Sequence, residues 1–438
     1  MKRLVAVIVA LTFSLALAET RSVTVDLTSS TGRPVPVSID LLTFRDLIGA
    51  EFPMDWSSIR VLVGGAEIPY QIDDVDLNGR ISAGDELAFL ATGPAEVQIS
   101  DGPIGSVNYE SAFAVEGENP VVIRTEDGFT VEMPAHGLTR ITGFGQVREV
   151  LADEIGILRF SGYPESTWWA NQEFGPHEEY TTLEAGGMRH IRTEVLPAGP
   201  ARVTVVSEYA SERFVGLTQR MVARVYASGD IDVSNVVTFR GYSDMMKLQH
   251  MVTRVASQAD PDTMHLLPVF RRLTWADQLG ITPEAYFAER NAVTTVDGTP
   301  FLAFRADNNL SPLFWGATYI FASAEPWRAG FAPNLGVAVA ELAKETPAIP
   351  EDYDAFLSGN TWVFESQEFR TGVFKWTADE FAAYDATRDV TPSTPNHYLP
   401  GDVVTFRYTY SVYPAESVEA AIAWVVARQA EIASVAFR

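Results

Sequence analysis

Runs in which apolar and polar residues alternate, separated by turn signals, recur along most of this chain and commit it to β-sheets. Ser22-Val23-Thr24-Val25-Asp26-Leu27 has period two, and Val35-Pro36-Val37-Ser38-Ile39 resumes it after the turn Thr31-Gly32-Arg33-Pro34. Ile59 to Val63 and Ile68 to Ile72 bracket Gly64-Gly65, the pattern of a hairpin. Glu86 to Leu90 supplies another strand. Further runs follow at Val121 to Ile123, Gly156 to Phe160, Arg202 to Val206, Met221 to Tyr226, Ile231 to Val237 and Val403 to Val412. Helical signals are few: Thr282-Pro283-Glu284, a Thr377/Glu380 capping box, and an amphipathic stretch from Ser417 to Ala433. The expected fold is mainly β, with a small N-terminal β-sandwich, a large supersandwich-like β-sandwich and a C-terminal helix.

The N-terminus reads as an export signal. Lys2 and Arg3 precede an apolar run from Leu4 to Leu15, and Ala16-Leu17-Ala18 forms an A-x-A cleavage site. That run is too short to span a bilayer, and polar Glu19, Thr20 and Arg21 follow it. The expected organisation is a signal peptide over residues 1–18, an N-terminal β-sandwich over 19–102 and a large β-sandwich with its terminal helix over 106–438. A split of the large unit near 275 is the alternative. Localisation is expected to be secreted or periplasmic.

The chain holds no cysteine, which removes disulfides, thiolate metal sites and a cysteine nucleophile. Roughly 420 residues remain after the signal, enough for a large packed core. With 32 basic and 57 acidic residues, the surface repels nucleic acid and anionic lipid. The sequence sets no oligomeric state.

The sharpest local motif is Asp74-Val75-Asp76-Leu77-Asn78-Gly79-Arg80-Ile81-Ser82-Ala83-Gly84-Asp85, which follows the calcium-loop pattern D-x-D-x-[DN]-G-x-[ILV]-x-x-x-[DE]. Asp74, Asp76 and Asn78 offer side-chain oxygens and Gly79 permits the turn. Arg80 would add its backbone carbonyl, Ser82 a water-mediated contact and Asp85 the closing carboxylate, with Glu86 beside it. The flanks read as strands, so Ca²⁺ would staple a β-loop here. The competing reading is an acidic turn held by hydrogen bonds of its own.

The motifs Val35-Pro36-Val37-Ser38, Ile68-Pro69-Tyr70-Gln71-Ile72-Asp73-Asp74 and Asp76-Leu77-Asn78-Gly79, followed by Asp85-Glu86-Leu87-Ala88-Phe89-Leu90, resemble those of an exported, largely uncharacterised bacterial family. Its members look like exo-rhamnogalacturonan-lyase-type proteins, with a small β-domain ahead of a galactose-mutarotase-like supersandwich. Gly199-Pro200-Ala201-Arg202-Val203-Thr204-Val205 also looks like part of that sandwich. The resemblance implies a polysaccharide or oligosaccharide ligand.

Chemistry is most concentrated between residues 168 and 192. Trp168, Trp169 and Asn171 suit sugar binding, although core packing competes for either tryptophan. On an acidic, uronate-containing polysaccharide, a lyase could use Arg189 or Arg192 to neutralise the carboxylate and His177 or His190 as base. Tyr180 would protonate the leaving oxygen. In strand geometry His190 and Arg192 share a face. His250 with Tyr242 is a second option, and a zinc site from His177, His190 and Glu178 lacks a diagnostic spacing. A glycoside hydrolase could pair Glu173, Glu178 or Glu179 with Asp352 or Asp354. A non-catalytic glycan-binding or surface-layer protein is the remaining alternative.

Overall fold

The computed structural model describes residues 19–49, 55–101, 109–125, 129–135, 139–142, 151–153, 159–162, 188–211, 216–253, 262–268, 285, 288–289, 291–305, 319–324, 326–342, 360–364, 373–376 and 396–438. The first 18 residues therefore lie outside it, as do the expected helices near 282 and 377, apart from a few residues of the former.

The small unit is built from β1 (Thr20–Asp26), β2 (Val35–Asp40), β3 (Arg60–Val63), β4 (Ala66–Ile68), β5 (Tyr70–Asp73), β6 (Glu86–Ala91) and β7 (Ala95–Ser100). Two antiparallel sheets face each other, β2-β6-β5 on one side and β1-β7-β3-β4 on the other. Alternate residues such as Val23, Val25, Val37, Ile39, Val61, Leu87, Phe89, Val97 and Ile99 meet between them as a common core. The hairpin at Gly64-Gly65 forms as expected, both glycines having positive φ (58° and 83°). Its second run then divides at Pro69: β4 pairs with β3, while β5 crosses to the other sheet and pairs with β6. Proline has no N–H to give to a ladder, which marks the crossing point. A helix the sequence reading missed, α1 (Leu41–Ile48), follows β2 directly. Asp40 caps it by accepting from the Thr43 N–H, and Leu41, Phe44 and Ile48 are buried beneath it.

The remaining strands are β8 (Phe113–Glu116), β9 (Val121–Thr125), β10 (Thr130–Met133), β11 (Thr139–Thr142), β12 (Leu151–Asp153), β13 (Arg159–Gly162), β14 (Met188–Val195), β15 (Arg202–Ser211), β16 (Leu217–Tyr226) and β17 (Asp230–Phe239). They continue with β18 (Ser243–Thr253), β19 (Met264–Pro268), β20 (Val293–Val296), β21 (Thr299–Arg305), β22 (Tyr319–Ala324), β23 (Trp327–Ala332) and β24 (Val337–Leu342). Last come β25 (Asn360–Phe364), β26 (Val373–Trp376), β27 (Asn396–Tyr398), β28 (Val403–Pro414), helix α2 (Val418–Ala433) and β29 (Ala436–Phe437).

Ten of these strands form one antiparallel sheet in the order β14-β15-β16-β17-β28-β24-β23-β19-β21-β20. On one face, Val203, Val205, Ala223, Val225, Ile231 and Val233 pack with Val121, Ile123 and Val131 of the sheet β12-β11-β10-β9-β8. A further sheet runs β13-β18-β26-β25-β22. Helix α2, capped by Ser417, places Ala421, Ile422, Val425 and Ile432 against Leu266, Ala338, Ala340 and Leu342 of the ten-stranded sheet. The mainly-β expectation holds, with large antiparallel sheets and a terminal helix. One connection was not expected: β29 leaves α2 and pairs with β1, so the end of the chain completes the small unit's sheet.

Candidate functional site

The alternation of β15, β16 and β17 leaves a polar row on the sheet face opposite that valine core. Arg202, Thr204, Arg224, Asp232 and Ser234 belong to it, and all are buried. What covers them is the small unit. Arg202 Nε donates to Asp73 Oδ2 at 2.7 Å, and Nη2 donates to Glu86 Oε2 at 2.9 Å. Its Nη1 reaches the Tyr226 hydroxyl at 2.9 Å and Ser38 Oγ at 3.1 Å. Arg224 grips Glu86 bidentately, at 2.7 and 2.5 Å. Thr204 Oγ1 donates to Asp73 Oδ2 at 2.6 Å. Burial alone would raise the Glu86 carboxyl, but the facing Arg224 and Arg202 charges outweigh it and hold it well below the usual carboxylate range.

A second buried cluster joins α2 to both units. Arg428 pairs with Asp230 on β17 and with Glu431 (2.8 Å), and it donates to the carbonyls of Arg33 (3.3 Å) and Pro34 (2.9 Å). Glu431 in turn accepts from the backbone N–H groups of Ser30 and Thr31. Burial works against ionisation of Asp230, yet the charges of Arg428 and Arg33 hold its carboxyl below its ordinary value.

Between β5 and β6 lies the loop 74–85. One carboxylate oxygen from each of Asp74, Asp76 and Asp85 lies within 4.8 Å of the others. The turn is shaped by left-handed residues Leu77 (φ 59°) and Gly79 (φ 77°). The Asp74 carboxylate accepts from the N–H of Asn78 (3.0 Å) and of Gly79 (2.7 Å). Ser82 Oγ donates to Asp76 Oδ2 at 2.6 Å, and this bond lowers the Asp76 pKa. The Asn78 side-chain oxygen accepts from Arg80 N–H at 3.0 Å. Asp85 is fully buried: its Oδ2 accepts from Ser82 N–H at 2.6 Å, whereas Oδ1 has no hydrogen-bond partner. Desolvation first, and then the Asp76 and Asp74 charges, push its carboxyl up. A shielded, unpartnered oxygen beside two more carboxylates is a costly arrangement that a hard cation would relieve. The donor set, all oxygen, fits calcium or magnesium and not a thiophilic metal. Glu86 is not part of the cage, because both its oxygens are taken by the arginines.

The other predicted site residues divide sharply. Trp168, Trp169, Asn171, His177 and Tyr180 lie outside the described residues, as do Glu173, Glu178, Glu179, Asp352 and Asp354. Arg189, His190 and Arg192 lie on β14, but not as unbroken alternation requires. His190 stands opposite Tyr209 and Arg192 opposite Glu208, so Ile191 is an extra, unpaired residue. This bulge turns His190 and Arg192 to opposite faces, correcting the expectation that they share one. His190 Nε2 bonds Thr193 Oγ1 at 2.8 Å, and its ring lies 5.5 Å from that of Tyr209. Arg192 instead pairs with Glu208 (2.8 and 3.0 Å) and Glu194 (2.6 Å) at the surface. His250 falls on β18, and Tyr242 just before it is strongly exposed. The buried carboxylates Asp73 and Glu86 and their arginines were missed by the sequence reading. Their only signal was a charged residue on each side of the loop motif.

No family model matches the sequence, and no curated protein matches it. Among solved structures, the chain is similar to an α-mannosidase from Enterococcus faecalis V583. That match has 10% identity and a TM-score of 0.45, over 95% of this chain and 46% of the other. A galactose 1-epimerase from Lactobacillus acidophilus NCFM is similar at 8% identity and TM-score 0.35, over 70% of this chain and 100% of the other. This chain thus spans about half the length of the mannosidase. Among the described residues, no helix is long and apolar enough to cross a membrane.

Proposed function

We propose that this chain is an exported, calcium-binding β-protein whose work outside the cytoplasm concerns carbohydrate. The calcium part is carried by the buried Asp85 Oδ1, which has no protein partner and sits beside the Asp74 and Asp76 carboxylates. Asp74, Asp76, Asn78 and Asp85 would hold the ion, with the Arg80 carbonyl and Ser82 completing its shell. Loops of this kind in extracellular modules bind at about 0.1–1 mM. Millimolar calcium should raise the melting temperature of the purified protein and chelation should lower it. The melting curve of Asp76→Ala should respond to neither. A wild-type curve indifferent to both removes the ion from the proposal.

The carbohydrate part is supported by the sequence resemblance and by Trp168, Trp169 and Asn171 beside His177 and Tyr180. Its catalytic form is a polysaccharide lyase. An arginine would neutralise the uronate carboxylate and a base would take the proton from the adjoining carbon. The carbon–oxygen bond then breaks as a carbon–carbon double bond forms, and Tyr180 protonates the departing oxygen. The β14 bulge separates His190 from the arginines, so Arg189 or Arg192 would work with His177. Uronate polymers incubated with the protein should develop the absorbance of unsaturated uronate. New reducing ends without that absorbance would favour a glycoside hydrolase. Retention on a glycan gel with neither would favour a binding or surface-layer role.

A further inference from the structure

The loop that gathers the carboxylates is also the part of the small unit seated on the ten-stranded sheet. Its side chains alternate in direction. Asp74 and Asp76 turn into the cage, whereas Val75 and Leu77 pack with Leu196, Val206 and Val222 of the large unit. Arg220 of β16 donates to the Val75 carbonyl. The residues flanking the motif are the two clamps: Asp73, just before Asp74, holds Arg202, and Glu86, just after Asp85, holds Arg202 and Arg224. The other end of the loop also supports the small unit, since the Ala83 and Asp85 carbonyls accept from the first N–H groups of α1.

From this adjacency we infer that calcium in the loop latches the small unit onto the ten-stranded sheet, making interdomain docking calcium-dependent. The inference rests on the calcium reading above and adds a consequence to it. The ligands at the two ends of the motif are one peptide unit from the clamping carboxylates. Asp73 and Glu86 already face each other as the last pair of the β5–β6 ladder, and an ion drawing Asp74 and Asp85 together would hold that end of the ladder closed around Arg202. Buried ion pairs are favourable only while their geometry is good, so a small change of spacing is felt strongly. Without the cation, three carboxylates within 4.8 Å of one another repel and push the loop open. The same motion pulls Val75 and Leu77 from their apolar seat. Docking and ion binding then share one free energy, and each must strengthen the other by the same factor.

Two backbone amides report docking directly: the N–H groups of Ala201 and Arg202 both donate to Gln71 Oε1 of the small unit, at 3.1 and 3.0 Å. Hydrogen exchange at these amides should quicken by about fivefold or more when calcium is chelated from the whole mature protein. In Asp76→Ala exchange should be fast with or without calcium. Reciprocally, Gln71→Ala leaves every cage residue in place yet should weaken calcium binding, measured by calorimetric titration, by about fivefold or more. Calcium binding with unchanged exchange at Ala201 and Arg202, and unaltered affinity in Gln71→Ala, would overturn the latch and leave the calcium site standing. A titration with no binding at all would overturn both.

Discussion

At the scale of single residues, Asp85 carries the most information. Its carboxylate is buried, half satisfied, and close to two more negative charges, so in the absence of an ion it weakens the fold. Asp85→Asn removes one charge from the cage while keeping an oxygen for the Ser82 N–H. Calcium affinity should fall at least about tenfold, and the calcium-free variant should melt no lower than the calcium-free wild type. A calcium-free variant that melts well below wild type would mean that the charge itself stabilises the loop. His265 on β19 makes a separate prediction. Burial, with Arg328 nearby, lowers its pKa from 6.5 to about 4. The unfolded chain takes up this proton as pH falls through 6.5 while the folded one resists, so stability present above pH 6.5 is lost on the way down to about 4. Between pH 7 and 5 that amounts to about 2 kcal/mol, and His265→Gln should flatten this part of the urea-denaturation profile. An equal slope in the variant would assign the loss to other groups.

Elements were legible where an apolar face alternates with a polar one, whatever covers the polar face. The strands from Ser22, Val35, Arg202, Met221 and Val403 and the terminal helix fall where period two and period 3.6 put them. The gathering of the Asp74, Asp76 and Asp85 carboxylates in one turn was legible too, because the constraints of the motif are local. Two features were not. The extra residue Ile191 in β14 shifts every later side chain to the other face, and no residue type announces it. The polar row of β15 and β16 reads as a solvent face, yet Arg202 and Arg224 are buried because another unit of the fold covers them. The same lesson applies to α2, whose Arg428 interrupts an apolar face to reach Asp230 on β17. Arg428→Met leaves Asp230 buried without the cation paired directly to it and should cost about 3–5 kcal/mol in chemical denaturation. Adding Asp230→Asn should restore a good part of that loss. A double variant as unstable as the sum of the singles would mean that the two side chains act independently.

Over the whole molecule, the ties between the small and large units among the described residues include the Arg202–Arg224 network, the Arg428 cluster and the pairing of β29 with β1. In the last of these, the Thr24 and Arg438 backbones exchange two hydrogen bonds at 2.9 Å, and Arg438 pairs with Asp26 at 3.0 Å. Deleting residues 435–438 exposes the edge of β1 and should lower stability by about 1–2 kcal/mol. An unchanged denaturation midpoint would show that β29 adds nothing. The buried charges at the other two contacts make the joint demanding in geometry, and an ion bound in the 74–85 loop, beside the first of them, would be well placed to control it.

Whether the ion is there at all is decided by equilibrium dialysis of the mature protein against radioactive calcium at millimolar concentration. Saturation at one ion per chain through the 74–85 loop, abolished by Asp76→Ala, is the expected result. No retained calcium, or retention that Asp76→Ala leaves intact, would contradict it.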